Sequence, residues 1–396
     1  MPSDRTMVTE LGTGLGMLGE SGIDAAMGSR SSVMHSLSPE TWDRLEALRR
    51  GAAYDAEFHA AWANGQAFLE AQDGLRGRRP LVIEWKGTGR APGDEVAPID
   101  LRVDHVYLVS CKYLSNILFN VSPAHLFDYL LITGQSRSSR LARDVLPGGG
   151  DWFAEVAPQQ FQALYDVVRA AAASGEPTRA APAGRGGQAL SVGRARGAVA
   201  LPGLEPAEHR VSGLGPRHGG AGNPALDGLP LRAIDLSSSQ RDALGQWLKP
   251  GWPEGAKDLY VALSDEVARQ SVRRWEAALS TGGGAEAMLW RLLRVGSAPY
   301  FVLGSSAARS LRLRIATSWD WRQQFSLASM NLEPQTGGQP RVGWHAVVRD
   351  RVTHELHDVV GHIEVRWSHG RFGGLPEAKG YLDTPHHLVP GYFMLR

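Results

Sequence analysis

Three strand-like segments lie between two helix-like ones in residues 45–135, and this order narrows the choice of fold more than any other part of the sequence. Apolar side chains recur at a helical spacing through GAAYDAEFHAAWANGQAFLEA, whereas RRPLVIEWKG has the pattern of a strand. Residues 99–114 predict two more strands with a turn at Asp104 and His105, and SPAHLFDYLL predicts a helix behind a Ser-Pro cap. The order helix, strand, strand, strand, helix is typical of a mixed α/β core.

The rest of the chain divides by composition. Residues 1–40 are rich in Gly, Ser and Met and weakly patterned, which predicts a loose N-terminal lead-in before an α/β domain at 41–173. Residues 174–228 contain mostly Gly, Pro, Ala and Arg, which is typical of a linker or a disordered insert. Helical patterns and then strand-like segments separated by Gly/Pro turns predict a helical and antiparallel β domain at 229–396, for recognition or partner binding.

Composition and charge exclude several classes of protein. With 43% apolar and 21% charged residues the chain has an ordinary globular balance, and a formal net charge of +1 argues against binding of nucleic acid or membrane through bulk basicity. The N-terminus lacks the basic start and apolar run of a signal peptide, and no window reaches the roughly 18 consecutive apolar residues of a membrane span. A single cysteine, Cys111, excludes an internal disulfide framework and fits a reducing compartment. We therefore expect a soluble, cytoplasmic protein with no membrane partner.

Lysine is scarce in this sequence, which makes the position of each lysine informative. Only five of the 42 basic residues are lysines, and two of them, Lys86 and Lys112, lie near the ends of consecutive apolar segments. A buried lysine can lose its proton, whereas arginine stays protonated. Lys112 is therefore a candidate for a role that arginine would not fill.

The three predicted strands and the preceding helix carry a set of acidic, hydroxyl and amine side chains. These candidate catalytic residues are Glu57, Glu84, Asp100, Ser110 and Lys112. Carboxylates beside a lysine suit Mg²⁺-dependent phosphodiester hydrolysis, because carboxylate oxygens hold a hard cation while the amine orients or deprotonates the attacking water. Asp100 and one of the two glutamates, Glu84 or Glu57, are the candidate metal ligands.

The loop between the second and third strands decides whether Asp100 reaches this cluster. A two-residue turn at Asp104 and His105 would pair Asp100 with Val109, on the wrong face of the sheet. A three-residue loop from Asp104 to Val106 would pair Asp100 with Ser110 instead. We therefore predict a loop with an odd number of residues, or a bulge, at this point.

The α-β-β-β-α order, with PID on the second strand and SCK ending the third, resembles the PD-(D/E)xK nuclease superfamily, which has the restriction-endonuclease-like fold. The resemblance covers residues 45–135. It implies that Asp100 is the metal-binding aspartate of the motif and Lys112 its lysine. Ser110 falls where the family usually has Asp or Glu, so that Glu84 or Glu57 would have to supply the missing carboxylate.

The resemblance implies a metal-dependent DNA endonuclease of a restriction or antiviral defence type, with Mg²⁺ or Mn²⁺ as cofactor and DNA as substrate. The alternative is a catalytically degenerate nuclease-like subunit that serves as a binding protein or scaffold in a larger defence complex. Association with other defence subunits or as a homodimer stays open in both cases. Under an ordinary structural interpretation, Asp100 is a surface acid near a turn, Lys112 extends from a strand end, and Glu84 and Lys86 form an exposed pair.

A second set of side chains near the C-terminus has the composition of a nucleic-acid-binding surface. The segment RWSHGRF contributes cations and aromatic rings, which contact phosphates and stack on bases. With Lys86, the candidate nucleic-acid-binding residues are Arg366, Trp367, His369 and Arg371. Two alternatives stay open: a β domain whose tryptophans belong to the core, and a protein interface, which Trp and Arg also favour.

Overall fold

The computed structural model describes most of the chain, and all structural statements below refer to this part. Within it the protein is a mixed α/β structure with eleven α-helices and two β-sheets. No helix in this part combines the length and the apolar character needed to cross a bilayer. The described residues are 3–87, 99–113, 117–128, 151–175, 226, 228–281, 284–306, 309–336 and 338–396.

The helices are α1 (Asp4–Gly16), α2 (Ile23–Ser29), α3 (Pro39–Arg50), α4 (Asp55–Glu70), α5 (Pro123–Phe127), α6 (Trp152–Val156), α7 (Pro158–Ser174), α8 (Ser238–Trp247), α9 (Ala256–Thr281), α10 (Ala285–Leu293) and α11 (Ser318–Gln324). The strands are β1 (Met34–His35), β2 (Ile83–Trp85), β3 (Leu101–Val103), β4 (Tyr107–Tyr113), β5 (Ile117–Val121), β6 (Tyr300–Ser306), β7 (Arg309–Ile315), β8 (Phe325–Gln335), β9 (Arg341–Asp350), β10 (Leu356–Trp367), β11 (Pro376–Leu382) and β12 (Tyr392–Met394). Four helices precede β2, six lie between β5 and β6, and one lies between β7 and β8.

The first sheet has seven strands in the order β1-β2-β3-β4-β6-β7-β12. Its β2, β3 and β4 are the three strands that the sequence predicts, and they form an antiparallel meander, after which β6 pairs with β4 in parallel. The sequence analysis does not predict β5, so the described chain has four strands rather than three between α4 and α5. The second sheet is antiparallel throughout, in the order β5-β11-β10-β9-β8. Helices α1, α3 and α4 cover one face of the first sheet, and a second, larger apolar core lies on its other face.

Both sheets combine strands from before and after the predicted linker. Strand β4 takes β6 as its neighbour, and β5 pairs with β11. The predicted division into domains at 41–173 and 229–396 is therefore wrong, because neither segment completes a sheet by itself. The predicted linker at 174–228 lies mostly outside the described residues.

The N-terminal lead-in predicted at 1–40 is also wrong, because the segment contains a buried helix. Helix α1 packs against α4, and Val8, Leu11 and Leu15 are fully buried. A Cβ added at Gly16 would collide with the carbonyl oxygen of Trp62 on α4. The glycines that look like loop residues in the sequence therefore allow two helix backbones to approach closely.

Several local predictions for helix ends are confirmed. Ser38 caps α3 by accepting a hydrogen bond from the backbone N–H of Thr41, and Pro39 is the first helical residue. Ser122 and Pro123 occupy the same positions at the start of α5, although the Ser122 side chain makes no capping hydrogen bond. These ends are predictable because capping needs only side chains adjacent in sequence.

The loop between β3 and β4 has three residues, Asp104–Val106, as the register argument requires. Val103 pairs with Tyr107, and Asp104 and His105 both adopt the left-handed conformation, with φ of 50° and 58°. The amide of Val106 closes the turn by donating to the carbonyl oxygen of Val103 at 3.1 Å. The loop therefore has an odd number of residues, and the pairing that it dictates continues to the start of β3.

Candidate active site

Asp100 lies at the start of β3, directly opposite Ser110 on β4. The register pairs Leu101 with Val109, so that the next pair is formed by Asp100 and Ser110. The Asp100 Oδ2 atom accepts hydrogen bonds from the Ser110 hydroxyl at 3.1 Å and from the backbone N–H of Cys111 at 2.6 Å. The Asp100 carboxylate thus continues the hydrogen bonding between β3 and β4 past the N-terminal end of β3. These hydrogen bonds fix the position of the carboxylate.

Lys112 follows Ser110 by two residues and therefore points to the same face of the sheet. Burial lowers the pKa of Lys112, the negative charge of Asp100 opposes that change, and the positive charge of Arg294 lowers the pKa further. The Lys112 amine therefore loses its proton at a lower pH than an exposed lysine does. This is the electrostatic condition for an amine that accepts a proton from water.

A carboxylate from α1, Glu10, is the third ionisable member of the cluster. Glu10 is only 6% exposed, and its Oε2 atom accepts a hydrogen bond from the indole N–H of Trp85 at 2.6 Å. Burial and the nearby charge of Asp100 raise the pKa of Glu10 to about 8, although the Trp85 hydrogen bond and the charge of Lys112 act in the opposite direction. Glu10 and Asp100 are therefore close enough for each charge to destabilise the other.

Glu10 and Lys112 approach Asp100 from the two faces of the first sheet. Helix α1 packs over the face on which Val109 and Cys111 are buried. Ser110 and Lys112 alternate with these residues and point to the opposite face. Asp100 lies just before the first residue of β3, between these two faces. Glu10, Asp100 and Lys112 therefore form a cluster around the N-terminal end of β3.

The two glutamates expected to complete the site bind other partners. The Glu84 carboxylate lies 3.1 Å from Lys86 Nζ and 3.2 Å from His105 Nδ1. Burial acts to raise the pKa of Glu84, but the Lys86 hydrogen bond and the surrounding cations lower it overall. Glu57 on α4 is 6% exposed and accepts a hydrogen bond from Arg5 at 3.0 Å. Glu10 is the glutamate whose pKa the charge of Asp100 helps to raise, after burial, and it is therefore the candidate partner of Asp100.

Lys86 is a neighbour of Asp100 in the sheet. Its backbone N–H donates to the carbonyl oxygen of Asp100 at 3.0 Å, and its ammonium group pairs with Glu84. The side chain of Lys86 is only 13% exposed. The contact with DNA predicted for Lys86 would require this ion pair to open.

A cavity of about 20 Å³ adjoins Ser110 and Lys112. The guanidinium of Arg294 lies at its wall, held by a 2.8 Å hydrogen bond to the carbonyl oxygen of Leu118. Tyr300 shares the wall and hydrogen-bonds to Ser110, and burial raises the Tyr300 pKa to about 12. A cavity of this size holds about one water molecule. It has room for a nucleophile but not for a nucleotide.

The cluster contains two carboxylates, Glu10 and Asp100, which are too few to hold a metal by protein ligands alone. No group of three or more His, Cys, Asp or Glu side chains within the described residues is arranged to hold a metal ion. Mg²⁺ commonly keeps several waters and takes only one or two protein carboxylates together with substrate phosphates. Glu10 and Asp100 would supply two such carboxylates, and a cation between them would offset the part of the Glu10 pKa rise that the charge of Asp100 adds to the larger effect of burial.

The C-terminal candidates line a separate groove of about 700 Å³, defined by α8, the start of α9 and the β10–β11 connection. Arg366, His369 and Arg371 are at its surface. The prediction that Trp367 stacks on bases is wrong in its physical basis, because the side chain is 5% exposed and packs against the rings of Phe153 and Phe372. Trp367 therefore supports the groove from the core.

Comparison of the chain with protein-family models, curated protein sequences and solved structures finds no match. The chemistry of the side chains in the two regions is therefore the basis for assigning a function.

Sequence reasoning missed Glu10 in the cluster and Lys249, Trp252 and Tyr260 in the groove. Glu10 stands inside the apolar stretch MVTELGTGLGML, and an acid in such surroundings is itself a signal of burial with a partner. The groove residues lie more than one hundred positions before the segment RWSHGRF. Nothing local in the sequence links them to it.

Proposed function

We propose that the protein is a Mg²⁺-dependent phosphodiesterase that cleaves DNA, with a restriction-endonuclease-like arrangement of β2, β3, β4 and β6. The observation that carries the proposal is the pairing of Asp100 with Ser110, two residues before the half-buried Lys112. The antiparallel meander of β2, β3 and β4 after α4, with β6 parallel to β4, supports the resemblance, although β5 comes between β4 and α5 and belongs to the second sheet. Glu10 replaces Glu84 and Glu57 as the second acid in this proposal.

Each side chain has a distinct role in the proposed reaction. Asp100 and Glu10 would hold the cation, and the Ser110 hydroxyl keeps the Asp100 carboxylate in its orientation. Lys112 accepts a proton from the attacking water at Nζ, and the positive charge of Arg294 favours the neutral amine that this step requires. When bound, Mg²⁺ supplies positive charge to the phosphate.

The approach of the substrate follows from the burial of Lys112. The cavity beside the amine admits about one water molecule, so the phosphodiester approaches from the strand end where Glu10 and Asp100 lie. In-line attack would then require this water to lie within about 3.5 Å of the phosphorus, opposite the P–O bond that breaks, with the leaving oxygen taking a proton from solvent. The small cavity also excludes bulk water from the amine, which preserves the lowered pKa of Lys112.

A catalytically degenerate binding or scaffold protein is the second candidate, and Ser110 is the observation in its favour. Ser110 cannot supply the negative charge that the related motif usually places there. The Asp100 carboxylate also has a structural role, since it binds the backbone N–H of Cys111. In a scaffold, the same cluster would do no more than hold the end of β3 against β4.

A plasmid-nicking assay with Mg²⁺ or Mn²⁺ distinguishes the two candidates. We expect the wild-type protein to nick DNA, and Asp100→Asn and Glu10→Gln each to reduce the rate by about 10²-fold or more, because each removes a charge that holds the cation. Both substitutions keep the size of the side chain and the capacity for hydrogen bonding.

Glu57→Gln is the matched control, since it also neutralises a buried glutamate but leaves Glu10 and Asp100 intact. The rate for Glu57→Gln should stay within about twofold of wild type. Equal rates in all the variants would attribute the nicking to a contaminant and exclude the proposed site. Absence of nicking by the wild-type protein under all metal conditions would favour the scaffold.

A further inference from the structure

The groove beside the β10–β11 connection has the composition of a binding site. Its volume of about 700 Å³ lies within the range of small-molecule pockets. The side chains that carry positive charge or can acquire it are Lys249, Arg366, His369, Arg371 and Lys379. No Asp or Glu is among the described residues that line the groove.

Ion pairs neutralise only part of this positive charge. Arg366 lies 3.6 Å from Glu364, but Glu364 also accepts a hydrogen bond from Arg341 at 2.5 Å. Lys379 pairs with Glu377 at 3.4 Å. Lys249 and Arg371 add further positive charge, so the cations exceed the carboxylates that pair with them. An anionic ligand would balance the difference.

Aromatic rings form the second part of the groove wall. Trp252 is half-buried and lies 5.0 Å from Tyr260 between ring centroids. The guanidinium of Arg371 lies over the Trp252 ring at 5.1 Å, and its Nη1 atom donates to the carbonyl oxygen of Leu248 at 2.5 Å. These contacts stack the guanidinium on the indole beside the other cations, and a planar guanidinium supported by an aromatic ring is a surface on which a nucleobase stacks.

The backbone holds the groove in shape. A Cβ added at Gly245 on α8 would lie 3.1 Å from the Cα of Gly373. Because no side chain separates the two segments, α8 and the β10–β11 connection are in direct backbone contact. Lys249 and Trp252 on one side therefore keep a fixed spacing from Arg366 and Arg371 on the other.

We propose that this groove binds a nucleoside phosphate, with the phosphate at Lys249 and Arg366 and the base stacked on the Arg371 guanidinium that Trp252 supports. The ligand is a unit of a single strand or a free nucleotide, which share this chemistry. The inference goes beyond DNA cleavage and does not depend on it, because Glu10, Asp100 and Lys112 are not among the groove residues.

Fluorescence anisotropy of the full chain, with EDTA present to prevent cleavage, tests the proposal. The probes are a labelled single-stranded DNA of about ten nucleotides, a typical site size, and a labelled adenosine monophosphate. We expect saturable binding of at least one probe. Tight binding of the oligonucleotide alone identifies a strand as the ligand, and tight binding of the mononucleotide identifies a free nucleotide.

Two variants test the location of the site. Lys249→Glu reverses an exposed charge in the groove and should weaken binding by about tenfold, since an unfavourable contact replaces a phosphate contact. Lys257→Glu reverses an exposed charge on α9 that does not line the groove, and it should change affinity by less than about twofold when specific contacts dominate.

Trp252→Ala should weaken binding by about tenfold through loss of stacking, and Trp252→Phe should retain most of the affinity. Circular dichroism and the melting temperature establish that each variant is folded. Failure of the wild-type protein to bind either probe, or equal effects of Lys249→Glu and Lys257→Glu, would overturn the proposal. Because the assay contains no free metal, these outcomes leave the test of cleavage unaffected.

Discussion

The cluster at the end of β3 and the groove beside the β10–β11 connection use charge in opposite ways. In the cluster, Glu10, Asp100 and Lys112 are confined together, and burial moves the pKa of Glu10 upward and that of Lys112 downward. In the groove, Lys249 and Arg366 face a space of about 700 Å³ that is open to a ligand. The first arrangement suits proton transfer and cation binding, and the second suits recognition of an anion.

The difference shows how burial assigns roles to similar side chains. Lys112 adjoins a cavity that holds about one water, so its amine can exchange a proton with that water. Lys249 lines an open groove, so its ammonium group can reach a phosphate. Lysine thus has the proposed role of proton acceptor in the cluster and of phosphate ligand in the groove. If the comparison is correct, substitutions in one region should leave the function of the other unchanged.

The largest expected effect is the separation of cleavage from binding. Lys112→Met removes the amine from the cluster with little change in volume, and it should reduce DNA cleavage by about 10²- to 10⁴-fold, the usual contribution of a general base. The affinity for the single-stranded oligonucleotide should stay within about twofold of wild type. Nicking and anisotropy assays on the same preparation measure both. Parallel loss of cleavage and binding would show that the two regions form one site.

A second prediction concerns the pH dependence of stability in metal-free buffer. Because folding raises the Glu10 pKa from 4.5 to about 8, the folded state holds a proton that the unfolded chain releases. This stabilisation is complete below pH 4.5 and is lost as the pH rises to about 8. Glu10→Gln has no ionisable group at this position and does not lose this stabilisation. The melting temperature of the variant minus that of the wild type should therefore increase from pH 5 to pH 8. Parallel melting curves of the two proteins from pH 5 to pH 8 would contradict the raised pKa.

Mg²⁺ should stabilise the protein more at high pH than at low pH. The cation needs the ionised form of Glu10, so protons compete with Mg²⁺ below pH 8. The increase in melting temperature on addition of Mg²⁺ should therefore be larger at pH 8.5 than at pH 6.5, and Asp100→Asn should abolish it. An increase that does not change with pH, or that survives Asp100→Asn, would place the cation elsewhere.

The smallest expected effect is on the salt dependence of binding in the groove. Removal of the Lys249 charge by Lys249→Ala should reduce the slope of log affinity against log salt by about 0.7, the value for one phosphate contact with a single strand. Lys257→Ala should leave the slope unchanged. Anisotropy titrations at several salt concentrations measure both slopes, and identical slopes would assign the attraction to other cations.

The local features of this fold could be predicted from the sequence. The cap of α3 at Ser38 and the helical period of α4 depend on neighbours in the chain. The register of β3 and β4 was also accessible, because side-chain alternation allows only an odd loop if Asp100 is to face Ser110.

The long-range features could not be predicted in this way. Glu10 is ninety residues before Asp100, and the glycines of α1 have the composition of a loop although they serve close helix packing. Trp367 has the residue type expected of a stacking surface, yet only the tertiary structure shows that it is buried. In both cases the deciding contact joins distant segments, and hydrophobic periodicity contains no information about such contacts.

The pairing of β4 with β6 has a consequence for how the chain is made. Strand β4 leaves the ribosome roughly 190 residues before its parallel neighbour β6, which at usual elongation rates is a delay of about 10 to 40 seconds. During that interval the edge of β4 that faces away from β3 lacks its partner β6, and an unpaired strand edge is a site of aggregation in a nascent chain. Cellular yield should therefore depend on chaperone supply and on translation speed between residues 113 and 300.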